Sequence, residues 1–172
     1  SGGKFAYPDD ASETPDTLQA VFEYDDFTML WEHATGIDGG PYGRTEGIAF
    51  VGNNATLVVN RGGWEVLPEW REENGRRTPR LEAMPLKANR AENLDLHTRN
   101  FADAIRRNDP SLLACGIESG SVAAINAQMG NIAFKTGRKL HWDAQGQRFR
   151  DDDEANALIR ARYRPGYVLP SV

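Results

Sequence analysis

Tyr42 and Arg44 lie in a glycine-rich loop over residues 40–47, G-P-Y-G-R-T-E-G, that leads into an apolar segment. Glycines on both sides allow the loop to raise the two side chains at the edge of a sheet. A phenol and a guanidinium placed there can hydrogen-bond a polyol or a carboxylate. The loop is therefore the best local candidate for a binding site, with Tyr42 and Arg44 as its contacts. The alternative interpretation is that glycine and proline only build a turn here.

The remaining motifs indicate no metal site, no glycosidase pair and no nucleotide-binding loop. None of the histidines, His33, His97 and His141, has a second histidine or cysteine at metal-ligand spacing, so we expect no metal site. The many carboxylates include no pair that stands out as a glycosidase acid and base. The sequence has no Gly-x-Gly-x-x-Gly turn and no phosphate-binding loop, which predicts no nucleotide cofactor in this chain.

The first part of the chain has the alternation and turn residues of antiparallel strands. Asp25-Asp26, Asn53-Asn54 and Gly62-Gly63 are the expected turns. The strands predicted around them are 18–24, 27–34, 48–51, 55–61 and 64–67. Residues 68–93 lack a sustained period and are predicted to be a long surface excursion with a short helical turn.

The second part has the period of helices. One helix is expected from Leu94, with Leu94, Phe101 and Ile105 on a shared face, and a second from Ile117 to Thr136, ended by Gly137. Lys139 to Trp142 is predicted as a further strand of the sheet, and Glu154 to Arg160 as a last helix. These expectations define an α+β fold, a mainly antiparallel open sheet of about five or six strands with helices packed on one face, in one domain over residues 1–172.

Length and charge narrow the classes of function. The chain has 172 residues, 40% of them hydrophobic, and a formal net charge of −5, which argues against a nucleic-acid-binding surface. No apolar run approaches the ~20 residues that cross a bilayer, so no membrane partner is expected. Cys115, between apolar neighbours, is predicted to be buried. The compartment stays open between cytoplasmic and exported.

Three segments together resemble the C-terminal domain of the Gfo/Idh/MocA oxidoreductases. They are N-I-A-F-K-T-G-R-K-L-H-W-D over residues 131–143, L-H-T-R-N-F-A-D over 96–103, and the tail over 152–163. The Tyr42-Gly43 loop before Val51-Gly52 and the strand T-L-V-V at 56–59 extend the resemblance to nearly the whole chain.

The resemblance implies a parent protein with an N-terminal Rossmann domain that binds NAD or NADP and exchanges hydride with a sugar or polyol. It further implies that this chain is the substrate-side and oligomerisation domain, a homo-oligomer through its sheet face, with Tyr42, Arg44 and, less directly, His97 as substrate contacts. The family's catalytic Glu-Lys-Pro and Asp-x-x-x-His motifs are absent from the sequence. We therefore expect no catalytic residue and no activity in the isolated chain.

Two alternative functions remain open at this point. One is a non-catalytic carbohydrate-binding or scaffold module. The other is part of an NAD-dependent, redox-assisted glycoside hydrolase, because the residues that would decide this lie outside the sequence.

Overall fold

The computed structural model describes residues 1–89, 93–161 and 163–168. Its strands are β1 (Gly2–Gly3), β2 (Thr17–Glu23), β3 (Thr28–Ala34), β4 (Ile48–Val51), β5 (Ala55–Asn60), β6 (Gly63–Pro68), β7 (Trp70–Glu73), β8 (Arg76–Pro79), β9 (Met84–Ala88), β10 (Trp142–Asp143) and β11 (Arg148–Phe149). Its α-helices are α1 (Asn93–Arg107), α2 (Ile117–Thr136) and α3 (Asp153–Ala157). Packing divides the chain into unit 1, Ser1–Gly36 with Ile117–Val172, and unit 2, Ile37–Gly116. The single domain remains a prediction.

In unit 1, helix α2 packs on one face of the antiparallel sheet β1-β2-β3. A side chain built at Gly130 would lie 3.5 Å from Ala20 and 3.7 Å from Phe22, so the glycine marks the closest approach of helix and sheet. A small residue of α2 therefore faces the sheet at this point. Gly120, in the first half of the helix, has no neighbour within 4 Å, so the close approach is confined to the second half.

Helix α2 ends as predicted, but the strand after it does not join the sheet to which it was assigned. Gly137 has φ 68° and donates its N–H to the carbonyl of Ala133 at 2.9 Å, which ends the helix. The prediction that 139–142 forms a strand of the main sheet is wrong. Strand β10 begins at Trp142 and pairs only with β11 in a separate two-stranded ribbon. The carboxylate of Asp143 accepts hydrogen bonds from the N–H groups of Gln145 and Gly146, both at 3.1 Å, and so favours this local pairing.

Helix α3 begins at Asp153, one residue before its predicted start, and is shorter than predicted. The carboxylate of Asp152 accepts the N–H of Ala155 at 2.9 Å. Hydrogen bonds from Arg138 hold the pKa of this carboxyl below its usual value, because they stabilise its charged form. The N–H of Leu158 bonds to the carbonyl three residues back, at 3.1 Å. The last turn is therefore tightened, and the helix ends at Ala157 rather than at 160.

Unit 2 contains the four-stranded antiparallel sheet β4-β5-β6-β9. Its first turn is the one predicted from Asn53-Asn54. Its second turn lies at residues 61 and 62, one position before the predicted Gly62-Gly63, because Gly63 already begins β6. The prediction for residues 68–93 is only partly met: the described segment is exposed over most of its length, but its described residues form the hairpin β7-β8 and strand β9 in place of the predicted helical turn. Asn74 and Gly75 have φ values of 53° and 73°, the conformation of a tight hairpin turn. Residues 90–92 of the predicted excursion lie outside the described part of the chain.

Helix α1 has its predicted apolar face, and that face is exposed. Leu94, Phe101 and Ile105 are 76%, 56% and 63% accessible, whereas Ala104 beside them is buried. Asn100 anchors the helix by donating to the carbonyl of Leu112 at 2.7 Å. The predicted burial of Cys115 is wrong, since its side chain is exposed.

The α+β class is confirmed, with antiparallel open sheets and three α-helices among the described residues. The predicted five-strand meander is divided between two sheets. Strands β2 and β3 belong to unit 1, and β4, β5 and β6 belong to unit 2. The glycine-rich loop that carries Tyr42 and Arg44 begins unit 2.

Candidate functional site

The loop of residues 40–47 presents Tyr42 at the surface in a strained backbone conformation. Pro41–Gly43 forms a single 3-10 turn, in which the N–H of Gly43 bonds to the carbonyl of Gly40 at 3.2 Å. Tyr42 has φ 58° and ψ 22°, the left-handed conformation that costs a non-glycine residue roughly 1–2 kcal/mol. The side chain is 47% exposed, and its hydroxyl has no hydrogen-bond partner among the described residues. Strain of this kind is concentrated at ligand-binding positions.

Two glycines hold the loop by close backbone contact. A side chain at Gly40 would lie 2.3 Å from the carbonyl oxygen of Arg44, across the base of the turn. Gly47 has φ 150°, and a side chain there would lie 2.7 Å from the carbonyl oxygen of Val59. The loop is thus closed on itself at one end and attached to strand β5 at the other.

Substituting Gly40 by alanine should open this loop. The new methyl group cannot coexist with the carbonyl of Arg44, so we expect a loss of about 1–3 kcal/mol in stability and shifted amide resonances at Tyr42 and Arg44. The matched control is Gly39→Ala, because Gly39 has no neighbour within 4 Å. Thermal unfolding and amide chemical shifts provide the measurement. Equal effects of the two substitutions would show that the contact at Gly40 does not shape the loop.

Arg44 forms a polar cluster with two residues of the sheet, which we call the Arg44 cluster: Arg44, Asn60 and Glu65. Its Nη2 donates to Oε1 of Glu65, and its Nη1 donates to Oδ1 of Asn60 at 3.4 Å. The side chains of Arg44 and Glu65 are 15% and 23% exposed. The guanidinium is therefore held in one orientation, with part of its surface open to solvent.

His97 lies apart from this cluster in the bonding pattern. It is on the exposed surface of helix α1, in the same unit as the loop. Within the described residues, no hydrogen bond or ion pair joins it to Tyr42 or to Arg44. The structure thus places Tyr42 and Arg44 in one turn, as predicted, and leaves the role of His97 a prediction.

Asn60 and Glu65 were missed by the sequence reasoning. The signal for them was the alternation of strands: Asn60 is opposite Gly63, so Asn60, Gly63 and Glu65 share one face of the hairpin β5-β6. Which residue meets Arg44 depended on how the loop folds back over the sheet. The alternation of the strands alone does not predict the path of the loop or the partners of Arg44.

The opposite face of the same sheet is apolar and exposed. We define the apolar face by six residues that alternate along three paired strands: Ile48, Phe50, Leu57, Val59, Trp64 and Val66. Ile48 and Phe50 are 60% and 58% accessible. With Leu81, most of these side chains line an open hollow of about 740 Å³. Contiguous exposed apolar patches are typical of interaction surfaces.

No group of three or more His, Cys, Asp or Glu side chains among the described residues is arranged to hold a metal ion. None of the described helices combines the length and apolar character needed to cross a bilayer.

Comparison with known proteins gives one family. The sequence model of the oxidoreductase family Gfo/Idh/MocA, C-terminal alpha/beta domain, matches residues 78–169, which are 92 of the 172 residues. Neither the curated proteins nor the solved structures gave a match. The matched range includes His97 and all three α-helices, whereas Tyr42, Arg44 and the apolar face precede it.

Proposed function

The chain belongs to the Gfo/Idh/MocA oxidoreductase family as its C-terminal alpha/beta domain, and from this premise we propose that it is the substrate-side and oligomerisation domain of an NAD(P)-dependent sugar or polyol oxidoreductase. The observation that carries the substrate role is the strained, exposed Tyr42 beside the Arg44 cluster. A phenol and a guanidinium in one turn offer the hydrogen-bonding groups that a hydroxyl-rich ligand needs.

NAD or NADP does not fit the residues of this chain. A dinucleotide site requires a parallel strand, a glycine-rich turn and a helix whose N-terminus meets the pyrophosphate. Every strand pair among the described residues is antiparallel, and the sequence has no Gly-x-Gly-x-x-Gly. We therefore assign cofactor binding to a Rossmann domain of the parent protein, and to this chain the binding and orientation of substrate.

The substrate role is tested by titrating the 172-residue chain with neutral sugars and polyols while recording amide chemical shifts. We expect saturable shifts at Tyr42 and Gly43 and none at the amides of α2, which belongs to unit 1. Calorimetry with NAD and with NADP should detect no micromolar binding. Saturable shifts that avoid the loop would overturn the role of Tyr42, and micromolar dinucleotide binding would overturn the assignment of the cofactor to another domain.

We further propose that the apolar face binds the same face of a second copy. A two-fold interface brings identical surfaces together, and none of the six residues of the apolar face is charged, so the surface is complementary to itself. Contact between two such faces would remove Phe50 and Trp64 from water in both copies.

An aspartate at position 50 should therefore separate the oligomer. Phe50→Asp buries an unpaired carboxylate in the proposed interface, and we expect the dissociation constant to rise about 100-fold or more. Val21→Asp is the matched control, because Val21 is an exposed strand residue, 63% accessible, that lies on β2 in unit 1 and is no part of the apolar face. Light scattering across a dilution series measures the change. A wild-type chain that is monomeric at every concentration would contradict the proposal.

A further inference from the structure

Glu65 neutralises the charge of Arg44, and we propose that this pairing selects neutral, hydroxyl-rich ligands over sugar acids and sugar phosphates at the loop of residues 40–47. Glu65 is then a specificity-determining residue. The inference rests on the proposed function, because it assigns the class of ligand bound by the same loop.

Arg44 retains donors for a ligand while it is held by the sheet. A guanidinium has five N–H groups. One donates to Glu65 and one to Asn60, and the other three have no acceptor within the described part of the chain. A ligand oxygen can therefore accept from Arg44 without breaking the ion pair.

The balance of charge around Arg44 disfavours an anion. Glu65 cancels the single positive charge of Arg44, and the pair is screened less than a surface pair because both side chains are mostly buried. The loop itself adds one carboxylate, at Glu46, and no second cation. A carboxylate or phosphate on a ligand would thus lose hydration without meeting an uncompensated cation.

A hydroxyl group suits the same cluster. It can accept a hydrogen bond from an N–H of Arg44 and donate one to a carboxylate oxygen of Glu65 or to the amide oxygen of Asn60. A ligand carboxylate can accept but cannot donate, and it would repel Glu65. The cluster therefore matches the two-way hydrogen bonding of a diol.

The test compares sugars that differ by one carboxylate. Glucose with glucuronate, and galactose with galacturonate, are titrated into the 172-residue chain at constant ionic strength, with the amide shifts of Tyr42 and Gly43 as readout. The wild-type chain should bind the neutral member of a pair more tightly. Glu65→Gln keeps an oxygen that accepts from Arg44 and removes the negative charge, so the ratio of the two affinities should move toward the acid by about tenfold.

Two further variants make the test specific to this carboxylate. Glu72→Gln removes the same charge from an exposed position of β7 in the same unit and should leave the ratio unchanged. Asn60→Asp adds a negative charge to the cluster and should move the ratio further toward the neutral sugar. Each variant is first checked for wild-type dispersion of its amide spectrum.

The outcomes separate this inference from the proposed function. If sugars bind at the loop but the ratio is the same in Glu65→Gln, or if the wild-type chain prefers the acids, the specificity role of Glu65 is refuted and the loop remains a binding site. If none of the four sugars perturbs Tyr42 and Gly43, the substrate role of the loop and this inference are refuted together.

Discussion

Replacing Gly63 by alanine is expected to destabilise unit 2 by about 3 kcal/mol or more and to lower its unfolding temperature by roughly 12 °C or more. Gly63 begins β6 with φ 142°, a conformation open only to glycine. A side chain there would lie 2.2 Å from the carbonyl oxygen of Lys87, on the paired strand β9. Because backbone meets backbone, no rotation of a side chain can relieve the contact.

The neighbouring glycine provides the control for this substitution. A side chain at Gly62 would meet only Oδ1 of Asn60, at 3.3 Å, so Gly62→Ala should cost far less. Calorimetric melting compares the two variants, and amide hydrogen exchange shows whether the β6-β9 ladder has opened. If the two variants melted within a few degrees of each other, the close approach of β9 to Gly63 would not be a requirement of the sheet.

The same substitution also tests how the sheet supports the candidate site. Gly63 is opposite Asn60, and Asn60 accepts hydrogen bonds from both Gly62 and Arg44. A displacement of the backbone at Gly63 should therefore be transmitted to the Arg44 cluster through the hairpin β5-β6. Gly62→Ala is a control for stability only, because its side chain would itself lie 3.3 Å from Oδ1 of Asn60 in the cluster.

Local signals in the sequence predicted most of the elements. Helix α2 has its predicted bounds, and Gly137 ends it with the predicted positive φ. Strand β4 also has its predicted bounds. In each case the deciding interaction joins residues close in sequence, so propensity and turn chemistry are sufficient.

Pairing between distant residues was not predicted. Strand β9 joins the sheet through β6, about twenty residues earlier, and its own sequence, M-P-L-K-A, contains a proline and little alternation. Its place at the edge explains why proline is tolerated there, since one side of an edge strand needs no partner. The ribbon β10-β11 was predicted only as a strand of the main sheet over residues 139–142, because strands of two residues have too little alternation to indicate a separate ribbon.

The candidate site was predicted only in part, because one of its contacts joins residues that are distant in the sequence. Tyr42 and Arg44 could be selected from residue types and neighbouring glycines. The pairing of Arg44 with Glu65 spans 21 positions and depends on the path of the loop over the sheet. That pairing changes the expected ligand, because an unpaired guanidinium favours carboxylates and a neutralised one does not.

The family match and the proposed contacts come from different parts of the chain. The matched residues include the helices that pack in unit 1, while the loop and the apolar face belong to the part of unit 2 that precedes the match. Family membership therefore supports the role of a C-terminal domain, and the substrate contacts rest on the geometry of the loop. Substitutions in the loop and in the matched core should accordingly have separate effects.

The core of unit 1 depends on one aromatic ring. Phe149 is 2% exposed and packs with Ile132 and Ala155, and its ring meets the ring of Trp142 edge to face with centroids 5.0 Å apart. Its backbone N–H and carbonyl also exchange hydrogen bonds with the side-chain amide of Asn156, at 2.8 and 2.9 Å. The residue thus connects β11 to α2, to α3 and to the strand it pairs with.

Phe149→Ala should therefore destabilise unit 1 by about 3–5 kcal/mol, because the neighbours can fill only part of the cavity left by the ring. Phe149→Leu retains most of the volume and should cost about 1.5 kcal/mol or less. Phe5→Ala is the control, since the ring of Phe5 is 72% exposed and its N–H keeps the bond to Asp16. Urea unfolding measures all three variants.

Because this core lies outside the loop, sugar binding at Tyr42 and Gly43 should persist in folded Phe149→Leu. A Phe149→Ala variant that lost less than about 1 kcal/mol would show that the ribbon β10-β11 is held by its turn rather than by this ring.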